Sequence, residues 1–184
     1  MKTLLLVLAA ASVCCSQAVE LNQMVADKSQ IAFTSTQMGV PVKGGFSKFA
    51  AQISFDPANA AAGTIRVDVD LTSIDAGSSD ANAEVKGKNW LDIAAFPKAS
   101  FVSASVRPLS AGRYEARGAL TIKGISRDIV VPFALRVDAS GTWLEGGFVV
   151  PRLQFKIGDG DWSDSSVVAN EILVKFTLLL TNKK

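Results

Sequence analysis

Alternation of apolar and polar residues with a period of two is the feature that most constrains the fold of this chain. In residues 64–71, every second side chain from Ile65 onward is apolar, and the residues between them are charged. Residues 129–137 and 172–180 repeat the pattern. Because successive side chains of a β-strand point to opposite faces, the pattern predicts strands with one buried and one solvated face.

Short turn signals such as Ala62-Gly63, Ala111-Gly112 and Lys123-Gly124 separate the alternating segments. Their regular spacing favours consecutive antiparallel hairpins, since parallel strands would need a long crossover between them. The sequence therefore predicts an all-β fold of about eight strands. They are placed at residues 30–35, 45–55, 64–71, 100–106, 114–122, 129–137, 142–150 and 172–180, with a possible ninth at 153–157.

One segment, residues 79–95, breaks the alternation and predicts a short helical insert. A helix is expected to begin near Asp80 and to end at Gly87, with a second turn at residues 90–94 before the stop at Pro97. No linker or repeat divides the chain, so the insert belongs to the same domain as the strands. A sheet of this size can hide its edges by closing into a barrel, although a two-layer sandwich would show the same alternation.

The N-terminus has the layout of a signal peptide. Lys2 precedes an apolar run from Leu4 to Val13, and the small residues Ser16 and Ala18 suit cleavage after residue 18. The sequence thus predicts a signal peptide at 1–18, a mature domain at 19–184 and a periplasmic location. Lipidation of Cys14 or Cys15 is the alternative, but neither follows the small residue that lipoprotein processing requires.

The chemistry available to the chain is narrow. It has no histidine, which excludes Ser-His-Asp and Cys-His catalysis, and both cysteines lie in the predicted signal peptide. With 19 basic and 17 acidic residues it carries no field that would attract nucleic acid. The chain is therefore expected not to be an enzyme and to need no cofactor or metal.

Two carboxylate groupings offer alternatives. Asp159, Asp161 and Asp164 surround Gly160 and could form a calcium loop, but a polar turn before the last strand is favoured. Asp68 and Asp70 share a strand face and could act as a glycosidase pair, but a solvated face beside Arg66 is favoured instead.

Several segments, taken in order, resemble the YceI-like family. They are residues 27–33 (DKSQIAF), 42–49 (VKGGFSKF), 53–57 (ISFDP), 70–75 (DLTSID), 90–92 (WLD), 96–101 (FPKASF) and 118–126 (GALTIKGIS). The resemblance covers nearly all of residues 19–184 and implies a single lipocalin-like β-barrel that binds a lipid or polyisoprenoid. Many members carry histidines that this chain lacks, so no metal or haem role transfers. Residues 155–162 resemble a subset of exported members, some of which are associated with b561-type membrane cytochromes.

Together, the apolar strand faces and the resemblance predict a lined cavity, with Trp90 and Trp162 in irregular segments near its ends. One tryptophan is expected to plug the barrel and the other to contact the ligand at the mouth. The predicted ligand-binding residues are Phe33, Phe46, Ile53, Phe55, Ile65, Val67, Val69, Trp90, Leu120, Ile122, Val131, Phe133, Leu135, Phe148, Phe155, Trp162, Val174 and Phe176.

The leading hypothesis is a periplasmic carrier or store for a long-chain amphiphile such as a polyisoprenoid, fatty amide or quinone-like lipid. The alternative is a non-enzymatic interaction or stress module with a solidly packed barrel, working transiently with an inner-membrane redox protein such as a b561-type cytochrome. An enzyme acting on a bound isoprenoid would have only carboxylates, lysines and Tyr114 to use. Monomer and homodimer both remain open.

Overall fold

The computed structural model describes residues 21–182. The strands in this part of the chain form one antiparallel sheet. The predicted signal peptide, Cys14 and Cys15 therefore lie outside the described residues. Eleven strands occur within that part. They are β1 (Gln23–Met24), β2 (Gln30–Gln37), β3 (Val40–Phe46), β4 (Phe49–Ser54), β5 (Thr64–Asp70), β6 (Ile74–Asp75), β7 (Lys98–Ser110), β8 (Arg113–Ile122), β9 (Ile125–Asp138), β10 (Gly141–Pro151) and β11 (Glu171–Thr181).

The strand order is β4-β5-β7-β8-β9-β10-β11-β2-β3-β6, and β1 also pairs with β11. The sheet curls, and the N-terminal segment bridges two strands that are distant in this order, joining the end of β4 to β11. The Leu21 N–H donates to the Phe55 carbonyl at 3.0 Å, and the Val25 N–H donates to the Leu179 carbonyl at 2.9 Å. The prediction of one antiparallel barrel with consecutive hairpins is thus confirmed.

The predicted count of about eight strands is too low. Strands β1 and β6 have two residues each, too few to show any alternation. The segment predicted as one strand at 45–55 is divided between β3 and β4, with a sharp connection between Phe46 and Phe49. The prediction of a possible ninth strand at 153–157 is wrong, because Arg152–Phe155 forms a 3₁₀ turn and Lys156 has a left-handed φ of 53°.

The predicted helical insert is confirmed as α1 (Ser79–Lys86). The Ser78 hydroxyl accepts the Ala81 N–H at 3.2 Å, which satisfies one free donor at the helix start. Asn82 accepts the Ala76 N–H and ties the helix to the end of β6. Among residues 21–182, no helix has the length and apolar character needed to cross a bilayer.

Candidate ligand-binding cavity

The inward faces of the strands enclose a cavity of about 570 Å³. On β5, Ile65, Val67 and Val69 all line it, as the alternation in that strand requires, and Phe101 faces Val67 from the neighbouring β7. Its volume lies within the range of about 300–1,000 Å³ that is usual for small-molecule sites. The lining is overwhelmingly apolar, so the cavity suits a hydrocarbon guest.

One end of the barrel is closed by three aromatic rings. Phe55 meets Tyr114 edge-on at a centroid distance of 5.0 Å, and Tyr114 stacks on its cross-strand partner Phe133 at 5.5 Å. All three side chains are buried, and Phe55 is only 1% exposed. These rings, here called the aromatic plug, exclude water and ligand from this end of the sheet.

The opposite end is open and is bordered by α1. Ala81 and Val85, one turn apart, and Asp80 and Glu84, also one turn apart, line this end of the cavity. The helix therefore contributes both apolar and acidic side chains to the same opening. We refer to this end as the mouth.

Trp90 and Trp162 converge at the mouth. Their ring centroids are 5.5 Å apart, and both indole N–H groups donate to the same Glu84 Oε1, at 3.1 and 2.9 Å. Both rings are half-buried and line the cavity. The expected division of roles, with one tryptophan as a plug, does not match this arrangement, because the aromatic plug at the far end contains neither of them.

Arg152 holds the segment that carries Trp162. Its side chain is fully buried, and its five N–H groups donate to five main-chain carbonyls at 2.7–3.1 Å. These carbonyls belong to Ile157, Gly158, Trp162, Val168 and Ala169. The guanidinium also lies 5.9 Å from the centre of the Trp90 ring. Burial lowers the pKa of Arg152 from its ordinary value. One side chain thus fixes the loop that forms one side of the mouth.

Gly158 is required beside Arg152. It has a φ of +72°, and a Cβ at this position would lie 2.5 Å from Arg152 Nη1. A larger residue would therefore be strained and would displace the guanidinium from its carbonyl partners.

Fourteen of the eighteen predicted ligand-binding residues line the cavity. They are Phe33, Phe46, Ile65, Val67, Val69, Trp90, Leu120, Ile122, Val131, Phe133, Phe148, Trp162, Val174 and Phe176. They come from β2, β3, β5 and β8–β11 as well as from the two mouth segments, so the strand alternation brings distant residues to one space.

Four predicted residues do not line the cavity. Ile53 lies on β4 and Phe55 directly follows that strand, and both pack into the core, Phe55 within the aromatic plug. Leu135 lies beyond the plug, where its N–H donates to the carbonyl of Gly112 in the β7–β8 turn. Phe155 is buried in the 3₁₀ turn after β10, because the chain there leaves the strand conformation that would have pointed it inward.

Sequence reasoning missed the helix face at the mouth. Ala81, Glu84 and Val85 were assigned no role, although their spacing of three and four residues places them on one face of a helix. Ile172 and Leu178 also line the cavity, and they belong to the alternating segment that was recognised at 172–180.

Two of the carboxylates considered as calcium ligands or catalytic groups, Asp164 and Asp68, have structural partners. Asp164 accepts the hydroxyl and the N–H of Ser166 at 2.7 and 2.8 Å, and these bonds lower the pKa of the carboxyl. Asp68 pairs with Arg66 at 2.7 Å on the outer face. Among residues 21–182, no cluster of three potential metal ligands is formed.

A barrel with a plugged end, an open mouth and an apolar interior defines the class of small β-barrel proteins with an internal apolar cavity. The family model described as the YceI-like domain matches residues 23–180. The chain therefore belongs to the YceI-like family.

Individual relatives agree with this assignment. BcnA of Burkholderia cenocepacia is 38% identical and superposes with a TM-score of 0.84, covering 86% of this chain and 100% of that one. A polyisoprenoid-binding domain from Saccharophagus degradans is 13% identical, with a TM-score of 0.67 over 91% of this chain and 100% of that chain. At that identity the likeness shows the fold alone.

Sequence relatives cover less of the molecule. A UPF0312 protein of Vibrio cholerae is 33% identical over 90 residues, which is 49% of this chain and 48% of that protein. A UPF0312 protein of Yersinia pestis is 30% identical over 105 residues, or 57% of this chain and 53% of that protein. The chain thus matches these curated relatives over about half of their length.

Proposed function

We propose that this protein binds the apolar tail of a long-chain amphiphile inside its barrel and acts as a carrier or store. The observation that carries the proposal is the apolar cavity of about 570 Å³, closed by the aromatic plug and open at the mouth. Each methylene transferred from water into it would contribute roughly 0.8 kcal/mol. A polyisoprenoid, a fatty amide or a quinone-like lipid would each meet this requirement.

Family membership supports the same function. The Saccharophagus degradans domain with this fold is described as polyisoprenoid binding. We extend that ligand class to this chain because its cavity offers hydrocarbon contacts along the inner faces of its strands. The signal-peptide layout of residues 1–18 leads us to propose the periplasm as the place of action.

We propose that the protein performs no catalysis. Tyr114, a candidate catalytic group, is 6% exposed and stacked within the aromatic plug. Asp68, another, is paired with Arg66 away from the cavity. The remaining carboxylates that reach the cavity, on α1, lie at the mouth beside solvent.

The alternative of an interaction module requires a solidly packed barrel. A barrel that contains a cavity of this size is not solidly packed, so the structure favours the carrier function over the interaction module. Transient contact with an inner-membrane partner is compatible with the carrier function, because an amphiphile has to be collected from or delivered to a membrane.

Protein purified from the exporting cell should retain its cargo. Native mass spectrometry is expected to show an apolar adduct that disappears after extraction with organic solvent. The proposal fails if repeated preparations are empty and if the emptied protein takes up no lipid from added extracts.

Filling the cavity should abolish binding without unfolding the barrel. Val67→Trp places an indole in the centre of the lining, and we expect it to weaken binding of a long-chain lipid more than tenfold. Val102→Trp is the matched control, because Val102 lies on the adjacent strand and is 41% exposed on the outer face. Binding would be measured by displacement of a fluorescent apolar probe and folding by thermal melts. Equal binding by the two variants would show that the lipid lies elsewhere.

A further inference from the structure

If the cavity holds an amphiphile as proposed, the polar end of that molecule must lie at the mouth. The buried rings of Phe55, Tyr114 and Phe133 fill the opposite end, and neither of the two charged residues that line the cavity, Asp80 and Glu84, lies there. The chemistry of the mouth therefore determines which head groups the protein accepts.

Both charged side chains that line the mouth are acidic. Asp80 and Glu84 are the only charged side chains that line the cavity among residues 21–182. They lie one turn apart on α1, at the exposed side of the helix face that also carries Ala81 and Val85. Glu84 is held in place by the two indole N–H groups that donate to its Oε1. The second carboxylate oxygen of Glu84 leaves acceptor capacity at the opening.

No lysine or arginine among residues 21–182 lines the cavity itself. Arg152 is fully buried, and its five N–H groups are all engaged by main-chain carbonyls. Lys123 donates to the carbonyls of Lys88 and Lys156 at 2.8 and 2.7 Å, which engages two of its three N–H groups. The carboxylates of Asp80 and Glu84 are therefore the charged groups that a ligand in the cavity meets first.

We propose that the head group of the ligand is a hydrogen-bond donor, with an ammonium preferred over a neutral amide, and that anionic head groups are disfavoured. A cation would face the two carboxylates of Asp80 and Glu84, beside the indole rings of Trp90 and Trp162, and would be attracted by both negative charges. An amide would donate to Glu84 without the charge attraction. A phosphate or a fatty-acid carboxylate would face like charges, which oppose binding.

Three probes with the same tail test this selectivity: hexadecylamine, hexadecanamide and hexadecyl phosphate. Each would displace a neutral fluorescent apolar probe at low ionic strength, below its micelle concentration. We expect the amine to bind about tenfold more tightly than the phosphate, with the amide between them. Raising the salt concentration to about 0.5 M should reduce the difference in affinity between the amine and the phosphate, because the mouth is open to solvent and its charges are screened.

The double variant Asp80→Asn, Glu84→Gln should reduce the amine-to-phosphate ratio to about twofold or less, since glutamine keeps an acceptor for both indoles. Asp27→Asn is the control: it makes the same kind of charge change at an exposed residue outside the cavity and should leave the ratio unchanged.

Two results would overturn the inference. In one, hexadecyl phosphate binds as tightly as hexadecylamine; in the other, the double variant keeps the same order of affinities as the parent protein. Failure of all three probes to bind would instead remove the proposed function itself, so the two failures are distinguishable.

Discussion

Replacing Arg152 with methionine is expected to lower the free energy of unfolding by about 3–5 kcal/mol, because five main-chain carbonyls would lose their donors, and three of these hydrogen bonds are buried. The free energy of unfolding of Arg152→Lys should lie between those of Arg152→Met and the parent protein, since an ammonium has three donors where the guanidinium has five. Urea denaturation followed by circular dichroism would measure both.

Arg136→Met is the matched control. Arg136 also forms short ion pairs, with Asp138 and Glu145, but its side chain is 52% exposed. Its replacement should cost much less stability than the replacement of Arg152, because exposed ion pairs contribute little. A loss at Arg152 no larger than the loss at Arg136 would show that the loop after β10 does not depend on this side chain.

Replacing Phe55 with alanine is expected to cost about 3–5 kcal/mol, because it removes a ring that is 1% exposed from the centre of the aromatic plug. The effect combines lost burial with an unfilled space that Tyr114 and Phe133 border. Chemical denaturation of the ligand-free protein would give the value.

Phe148→Ala provides the comparison for Phe55→Ala. Phe148 is half-buried and faces the existing cavity, so its ring has fewer protein contacts to lose. We expect less than half of the destabilisation seen at Phe55. Equal losses at the two positions would mean that the plug is not packed more tightly than the lining.

Most of the fold follows from alternation in the sequence. The period-two pattern at 64–71 predicts that Ile65, Val67, Val69 and Leu71 share a face, and all four line the cavity. The rule fails where a strand extends past the barrel. Val137 continues the apolar series of β9 but is 76% exposed, because alternation specifies which face a residue occupies and not whether a second layer covers it.

The mouth was less predictable than the barrel. Trp90 and Trp162 are 72 positions apart in the sequence. Trp90 bonds to Glu84 from six residues away, whereas the bond from Trp162 to Glu84 joins residues 78 positions apart and no local pattern encodes it. Arg152 likewise appears in the sequence as an ordinary basic residue after a strand. Its role depends on a loop that folds back over it and brings five carbonyls within reach.

Strand β11 has three partners: it pairs with β10, β2 and β1, and it is the last strand along the described part of the chain, residues 21–182. A nascent polypeptide emerging from the ribosome therefore exposes the inner faces of β2 to β10 to water until β11 is available. During that interval the uncovered strand faces are open to chaperones and to aggregation. The cavity is therefore enclosed only once β11 has joined the sheet, so any molecule held inside the barrel enters after the last strand is made.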